Sequence, residues 1–168
     1  MNNKKAKRLK LASIDENTVY FTNSAKHWTG PGNPTPSISI MRACRKFLTA
    51  EIQSVDPDVI ILLGNAALKN FYDPDKPPSL KLEHGIPRQR FIHGRDRTII
   101  PMYHPAAGLH QPLLKPTIAA DFKKLTNPPS NGVSIHLNRG MAINPGVCLA
   151  VDLETTGSDV HSDKITVI

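Results

Sequence analysis

The sequence predicts an α/β fold in which a parallel sheet lies between layers of helices. Three observations predict it. The run Val59–Leu63 in "DPDVIILLGNAALKNF" is apolar at every position, as a parallel strand covered on both faces must be. Strand-like and helix-like segments alternate along the chain, the order that builds layered α/β domains. Two strand-like runs end abruptly in a polar side chain, Asn23 in "VYFTNSAKHW" and His104 in "IIPMYHPAAGL".

Each element has its own local reason. "TVYFTN" (Thr18–Asn23) is rich in β-branched and aromatic residues and reads as a strand, and "AKHWTGPGNPTPS" after it is a Gly/Pro loop. Ser37–Val55 carries Ile40, Ala43, Cys44, Phe47, Leu48, Ile52 and Val55 at helical spacing. Val59–Leu63 is the buried strand; Gly64 breaks it and a short helix follows. Residues 73–97 are polar, with Pro-Pro and several basic residues, and read as a long loop or weak hairpin. "TIIPMYHP" is the next strand. "KPTIAADFKKL" is a helix with Ile118, Ala119, Phe122 and Leu125 on one side. Residues 127–146 are a linker by composition. "VCLAVDLETTG" is a further strand and turn, and "KITVI" is strand-like, so residues 147–168 read as the beginning of a second domain. There is no internal repeat.

Composition narrows the partners. The 168 residues carry a net charge of +7. That favours an acidic partner, of which nucleic acid is the commonest; a soluble protein that happens to be basic is the plain alternative. "KKAKRLK" near the start reads as a solvated basic tail. The two cysteines, Cys44 and Cys148, form no C-x-x-C pair, which gives neither a disulfide framework nor a complete cysteine metal site. The N-terminus lacks the apolar core of a signal peptide. No apolar run reaches membrane-spanning length, so no membrane partner is expected. A cytoplasmic setting, in a bacterial or phage-infected cell, fits.

In an open parallel sheet, ligands bind outside the carboxyl ends of the strands. Asn23 and His104 would then face one crevice. An amide can accept from a ring N–H and donate to a ring carbonyl at once. An imidazole can donate to a carbonyl on which negative charge develops. The bland alternative is that Asn23 caps a turn and His104 caps a strand.

"VYFTNSAKH", "RACRKFL", "DVIILLGNAAL", His84–Gly85 and "IIPMYHPAAGLHQPLLKPTIAADFKKL" follow one another in this order. Together they resemble a uracil-DNA glycosylase of the family-4 kind over about Ile14–Leu125, within a domain at 14–126. The resemblance implies an α/β/α sandwich with a four-stranded parallel sheet, base flipping in uracil-containing DNA, and hydrolysis of the N-glycosidic bond. It implies that Asn23 hydrogen-bonds the uracil edge and that His104 stabilises the departing anion. Pro105 would set the corner. Lys26, Pro105, Ala106, Ala107 and Leu109 would meet DNA, with Leu109 on the intercalating loop. Small side chains at Ala106, Ala107 and Gly108 would let the backbone approach a phosphate.

Three departures from the family pattern set further expectations. Ala106 stands where the family usually has Ser. The family's iron–sulfur cluster uses four cysteines; Cys44 matches one position and His27 stands at another, so no cluster is expected and Cys44 reads as a small buried residue. A Gly-rich, G-E-x-P-G-like loop, which carries the family's acidic group, does not precede Val19. The sheet is therefore expected to lack its N-terminal, central strand. A non-catalytic DNA-binding module, or a degenerate remnant, is the alternative to an enzyme.

"VCLAVDLETTG" resembles the first motif of DEDD-type 3′–5′ exonucleases. Asp152 and Glu154 are two apart on a strand, which puts both carboxylates on one face. That suits Mg2+ or Mn2+ for two-metal phosphodiester hydrolysis; a pair of exposed acids is the alternative. Glycosylase-like domain, linker and exonuclease start, in that order, resemble the front of certain bacteriophage DNA polymerases. The partners implied are DNA and the rest of a polymerase polypeptide. Arg88, Arg90, His93, Arg95 and Arg97 read equally as a flank of the DNA groove or a solvated loop, and Trp28 as a base-stacking or a packing residue.

Overall fold

The computed structural model describes residues 19–26, 30–31, 34–73, 76–125 and 148–152, the last of these as backbone. The basic tail, His27, Trp28, the linker, Glu154 and "KITVI" lie outside the described residues. The elements are β1 (Val19–Asn23), α1 (Ile38–Val55), β2 (Val59–Leu63), α2 (Gly64–Phe71), α3 (Leu80–Glu83), β3 (Arg88–Ile92), β4 (Arg95–Met102), α4 (Ala107–His110), α5 (Leu114–Lys124) and β5 (Cys148–Asp152).

Five strands form one sheet in the order β1-β5-β2-β4-β3. The first four in that order run parallel, and β3 is antiparallel to β4 at the edge. β2 is buried at all five positions, and alternate side chains go to opposite faces. Val59, Ile61 and Leu63 pack with Ile118, Phe122 and Leu125 at α5. Ile60 and Leu62 pack with Leu48 and Ile52 of α1 and Ala67 and Leu68 of α2. Two hydrophobic clusters, one on each face of the sheet, make the layers α/β/α.

The helix that covers the second face starts and stops for visible reasons. Ser37 Oγ accepts from the Ile40 N–H at 3.3 Å and caps α1. Asp56 ends it in the left-handed region, φ 47°, with its N–H donating to the Ile52 carbonyl at 2.9 Å. The buried stripe is Met41, Cys44, Leu48 and Ile52. Phe47 was expected on the core side but is 53% exposed; it stands about 100° round the helix from Leu48. The Lys46 ammonium sits 5.0 Å over its ring.

The region read as a loop or weak hairpin is a true hairpin. His93 (φ 48°) and Gly94 (φ 89°) are the two turn residues between β3 and β4, both in the positive-φ region that a two-residue hairpin turn uses. Just beyond the turn, two of the expected groove arginines are engaged. Arg97 is 2% exposed. It donates to the Asp56 carboxylate at 2.8 Å, to the Ile92 carbonyl at 3.2 Å, and to the Pro57 carbonyl. Arg95 donates to Asp56 Oδ1 at 2.9 Å and also to Asp58. Asp56 and Asp58 lie at the amino end of β2, and β4 starts beside them. This network is therefore at the end of the sheet opposite Asn23, where it ties the amino ends of two parallel strands together. Arg88 pairs with Glu83 at 2.9 Å, and Arg90 stacks 4.6 Å from the Tyr72 ring centroid.

The hydrogen bond from Arg97, and then those from Arg95, hold the Asp56 carboxyl below the usual carboxylate range. A depressed folded-state value means the stabilisation is complete above the unfolded pKa of about 3.9 and is lost as pH falls through the folded value. Urea melts between pH 5 and pH 2 should accordingly show a steeper loss of stability in the wild type than in Asp56→Asn.

The sheet also carries a central strand, and it is β5. Val19 to Asn23 run in register with Cys148 to Asp152, and Val59 to Leu62 with Cys148 to Val151. The segment assigned to the start of a second domain thus occupies the place expected to be empty, between β1 and β2. The physical reason is in both neighbours. β2 is apolar on both faces and needs a hydrogen-bonded partner on each edge, and "CLAV" is apolar throughout.

Candidate functional site

The carboxyl ends of β1, β5, β2 and β4 line up along one rim of the sheet, as parallel pairing requires. Asn23 is the last residue of β1, Asp152 is its register partner on β5, Gly64 follows β2, and His104 follows β4 by two residues. The structure therefore places Asn23 and His104 on the same rim, on strands that flank β5 and β2. It adds the backbone position of Asp152 between them.

Gly64 and His104 fix one another. Gly64 has φ 85°, and a Cβ there would stand 3.3 Å from His104 Cβ. The glycine in "LLGNAAL" is thus both a strand-to-helix turn and the space beside the His104 Cβ. The His104 ring is oriented by its own backbone: the Ala106 N–H donates to Nδ1 at 3.0 Å. An Nδ1 that accepts leaves the ring proton on Nε2, which makes His104 a hydrogen-bond donor there. The Ala107 N–H donates to the His104 carbonyl at 2.9 Å, and the Leu109 N–H to the Ala106 carbonyl at 2.9 Å. The Tyr-His-Pro corner is thus wound tightly, with Pro105 buried.

One reading of the small residues changes. Gly108 was expected to make room for a phosphate. A Cβ on it would meet Lys115 Cγ at 3.1 Å and Ile118 Cδ1 at 3.4 Å. Its lack of a side chain lets α4 lie against α5. Ala106 and Ala107 are half-buried, and Leu109 is 53% exposed.

Behind Asn23 is a brace that the sequence did not disclose. Lys26 donates through Nζ to both Thr22 Oγ1 and Glu51 Oε2, and Thr22 Oγ1 donates to Glu51 Oε2 at 2.6 Å. The Lys26 N–H donates to Cys44 Sγ at 3.2 Å. The ammonium expected to meet DNA is turned onto α1, where it pins the turn that follows Asn23. Burial, and then the Glu51 carboxylate, push the nearby Tyr20 phenol up. Glu51 was missed because an acid at a helical i-position has no signature until the fold sets a lysine beside it.

Behind His104 is a second brace. Asp121 is 2% exposed; His84 Nδ1 lies 2.6 Å from its Oδ2, and Lys124 Nζ donates to its Oδ1 at 3.1 Å. The His84 ring packs against Tyr103, tilted by 43° with centroids 4.8 Å apart. Gly85 (φ 70°) donates its N–H to the Pro101 carbonyl at 2.8 Å, and a Cβ on it would come within 2.5 Å of Asp121 Oδ1. His84–Gly85 therefore forms one unit with Asp121, and the unit clamps the residue before His104. Asp121→Ala, which removes the acceptor shared by His84 and Lys124, should cost about 1–3 kcal/mol in chemical denaturation. Gly85→Ala should cost at least as much, because both φ and the carboxylate forbid the methyl.

Comparison with known proteins now decides the family. The model of the uracil DNA glycosylase superfamily matches residues 6–126. The chain belongs to the uracil-DNA glycosylase superfamily. The type-4 uracil-DNA glycosylase of Saccharolobus solfataricus is 31% identical over 120 residues, 68% of this chain and 54% of that protein. The corresponding protein of Thermotoga maritima is 36% identical over 98 residues, 58% of this chain and 48% of its own length. The chain thus spans about half the length of these superfamily relatives. The DNA polymerase of Bacillus phage SP01 is 26% identical over 191 residues, which takes in 99% of this chain and 20% of the polymerase.

Cys44 is the cysteine that matches a cluster position of the family, and His27, at another position, lies outside the described residues. Cys44 is 3% exposed and its sulfur accepts the Lys26 amide. Among the described residues, no group of three or more His, Cys, Asp or Glu side chains gathers as metal ligands. None of the described helices is long and apolar enough to cross a membrane.

Proposed function

We propose that this chain recognises uracil flipped out of DNA and hydrolyses its N-glycosidic bond. The observation that carries the reading is the pairing of Asn23 and His104 on one rim of the sheet, with Nδ1 of His104 occupied by the Ala106 N–H. The names of the type-4 relatives point to the same chemistry. In this reading the Asn23 amide accepts from uracil N3–H and donates to O4. As the C1′–N1 bond breaks, its electron pair passes into the uracil ring and negative charge gathers on O2. The proton on His104 Nε2 donates to that oxygen and stabilises the anion. Water attacks C1′, and the proton it loses ends, through solvent, on N1 of the uracil anion, which leaves free uracil and an abasic sugar. Pro105, Ala106, Ala107 and Leu109 form the edge on which the DNA backbone rests.

We also propose that the domain serves a DNA-replication polypeptide. The likeness to a phage polymerase along nearly the whole chain supports this. Asp152 and Glu154 would then be the first acids of a proofreading exonuclease that binds Mg2+ or Mn2+.

The experiment is base selectivity. Oligonucleotides with a single uracil, thymine or cytosine are incubated with the full chain, and the free base is measured. Uracil alone should be released. Asn23→Asp, which replaces the amide donor with an acceptor, should abolish the release. Equal release of all three bases, or an unchanged Asn23→Asp variant, would remove Asn23 from the reading. Salt-dependent DNA binding without base release would favour a non-catalytic DNA-binding module.

A further inference from the structure

β3 is the last strand of the sheet, and no other described strand pairs with its outer edge. The hairpin turn decides which of its backbone groups face outward. His93 and Gly94 make a two-residue turn, so Ile92 and Arg95 exchange both backbone bonds, and such pairs alternate along the ladder. Ile92, Arg90 and Arg88 bond inward to β4. Gln89 and Phe91 turn their N–H and C=O groups away from it. β4 agrees with this register: the Thr98 N–H, opposite Gln89, donates at 2.8 Å to the Asp58 carbonyl just before β2, and so points away from β3.

Exposed edges are commonly blunted by a proline, a bulge or a charged side chain that reaches over the backbone. β3 uses none of these. Its pairing with β4 is continuous from Arg88 to Ile92, and Phe91 on it is 73% exposed. Both arginines are drawn back onto the protein, Arg88 onto Glu83 and Arg90 onto the Tyr72 ring. The backbone edge is left open.

Alternation gives the two faces of the strand different chemistry. Arg88 and Arg90 share one face, where a groove is lined by Tyr72, Lys76, Glu83, Arg88 and Arg90, three cations against one acid. Gln89 and Phe91 take the other face. A strand laid along this edge would set alternate side chains beside the arginines and those between them beside Phe91. Acids suit the first set and apolar groups the second. A nucleic acid matches the edge less well, because phosphates only accept hydrogen bonds, whereas Gln89 and Phe91 present N–H and C=O alike. A second copy of the chain matches it poorly too. Pairing Gln89 with Phe91 in both directions sets Arg90 opposite Arg90, and like charges directly opposite destabilise a sheet.

We propose that the β3 edge docks an extended peptide of a partner protein, added to the sheet as a further strand, with acidic and apolar residues in alternation. Backbone bonds to Gln89 and Phe91 hold it, and Lys76, Arg88 and Arg90 select its charge. The seat runs from the level of Ile99 to the turn at the amino end of β4. His104 lies past the other end of that strand, so the docked peptide leaves the crevice open. The site stands apart from the glycosylase reading and does not depend on it.

The test uses the full chain and a short fluorophore-labelled peptide of alternating Glu and Val, with binding read by anisotropy. Controls are the Lys-Val counterpart and a peptide of the same Glu and Val composition with the acids in one block. The alternating acidic peptide should bind at least tenfold more tightly than either control. Phe91→Ala keeps the outward N–H and Phe91→Pro removes it, and proline is tolerated on an edge strand at a position whose N–H faces solvent. Phe91→Pro should therefore melt close to Phe91→Ala yet bind the peptide about tenfold more weakly. Arg90→Glu, which leaves the backbone edge intact, should reverse the preference between the Glu-Val and Lys-Val peptides. Equal affinity for the alternating and blocked peptides, or for Phe91→Pro and Phe91→Ala, would overturn strand addition. Displacement of the peptide by single-stranded DNA with no effect of Phe91→Pro would make the edge a nucleic-acid surface and overturn it too. A dimer that Phe91→Pro dissociates would make a second copy the occupant and overturn the partner peptide.

Discussion

His104→Ala is expected to lower single-turnover uracil release by about a hundred- to a thousandfold, the usual loss when one preorganised donor to a developing oxyanion is removed. The donor is preorganised because the Ala106 N–H already occupies Nδ1 at 3.0 Å, which commits the proton to Nε2 without help from substrate. Beside it, Gly64 has no side chain where a Cβ would stand 3.3 Å from His104 Cβ, and the preceding Tyr103 ring packs against His84. His104 is only half-buried, so the variant should melt close to the wild-type temperature. Rapid-quench kinetics at saturating protein would place the loss in the bond-breaking step. A loss confined to the affinity for DNA would mean that His104 positions the backbone and does not stabilise an anion.

The second large effect is on stability. Ala150→Pro should destabilise the fold by about 3 kcal/mol or more, enough to bring thermal unfolding down by about 10 °C in a chain of this size. Ala150 is in register with Phe21 on one side and Ile61 on the other. A proline there removes an N–H from a strand paired along both edges and is tolerated only at sheet edges or bulges. Circular dichroism melts of wild type and variant settle the matter. Unchanged melting would mean that Cys148–Asp152 lies outside this sheet in solution, in the separate exonuclease-like unit that "VCLAVDLETTG" suggests.

Much of the fold was legible because single residues encode it. Five apolar positions at Val59–Leu63 gave the buried parallel strand, and Ile118, Phe122 and Leu125 gave the face that α5 buries. Asn23 and His104 were legible as site residues because each ends an apolar run with a polar group, and parallel pairing then aligns the ends. What could not be read depended on pairs distant in the chain. Glu51 meets Lys26, Asp121 meets His84 and Arg97 meets Asp56 only after the layers close. For that reason the engagement of Lys26 with Glu51, and the burial of Arg97 on Asp56, have no signature in the sequence. The place of β5 was beyond pattern reading too, since an apolar strand does not name the edge it will join.

Free uracil, counted after the full chain is incubated with a duplex carrying a single uracil, is the measurement that tests the central claim most directly. The incubation contains EDTA, which removes any metal-dependent nuclease from the result. Release of one uracil per site, with the DNA strand intact until alkali cleaves the abasic sugar, is the predicted result. Tight binding to that duplex with no uracil released would contradict it.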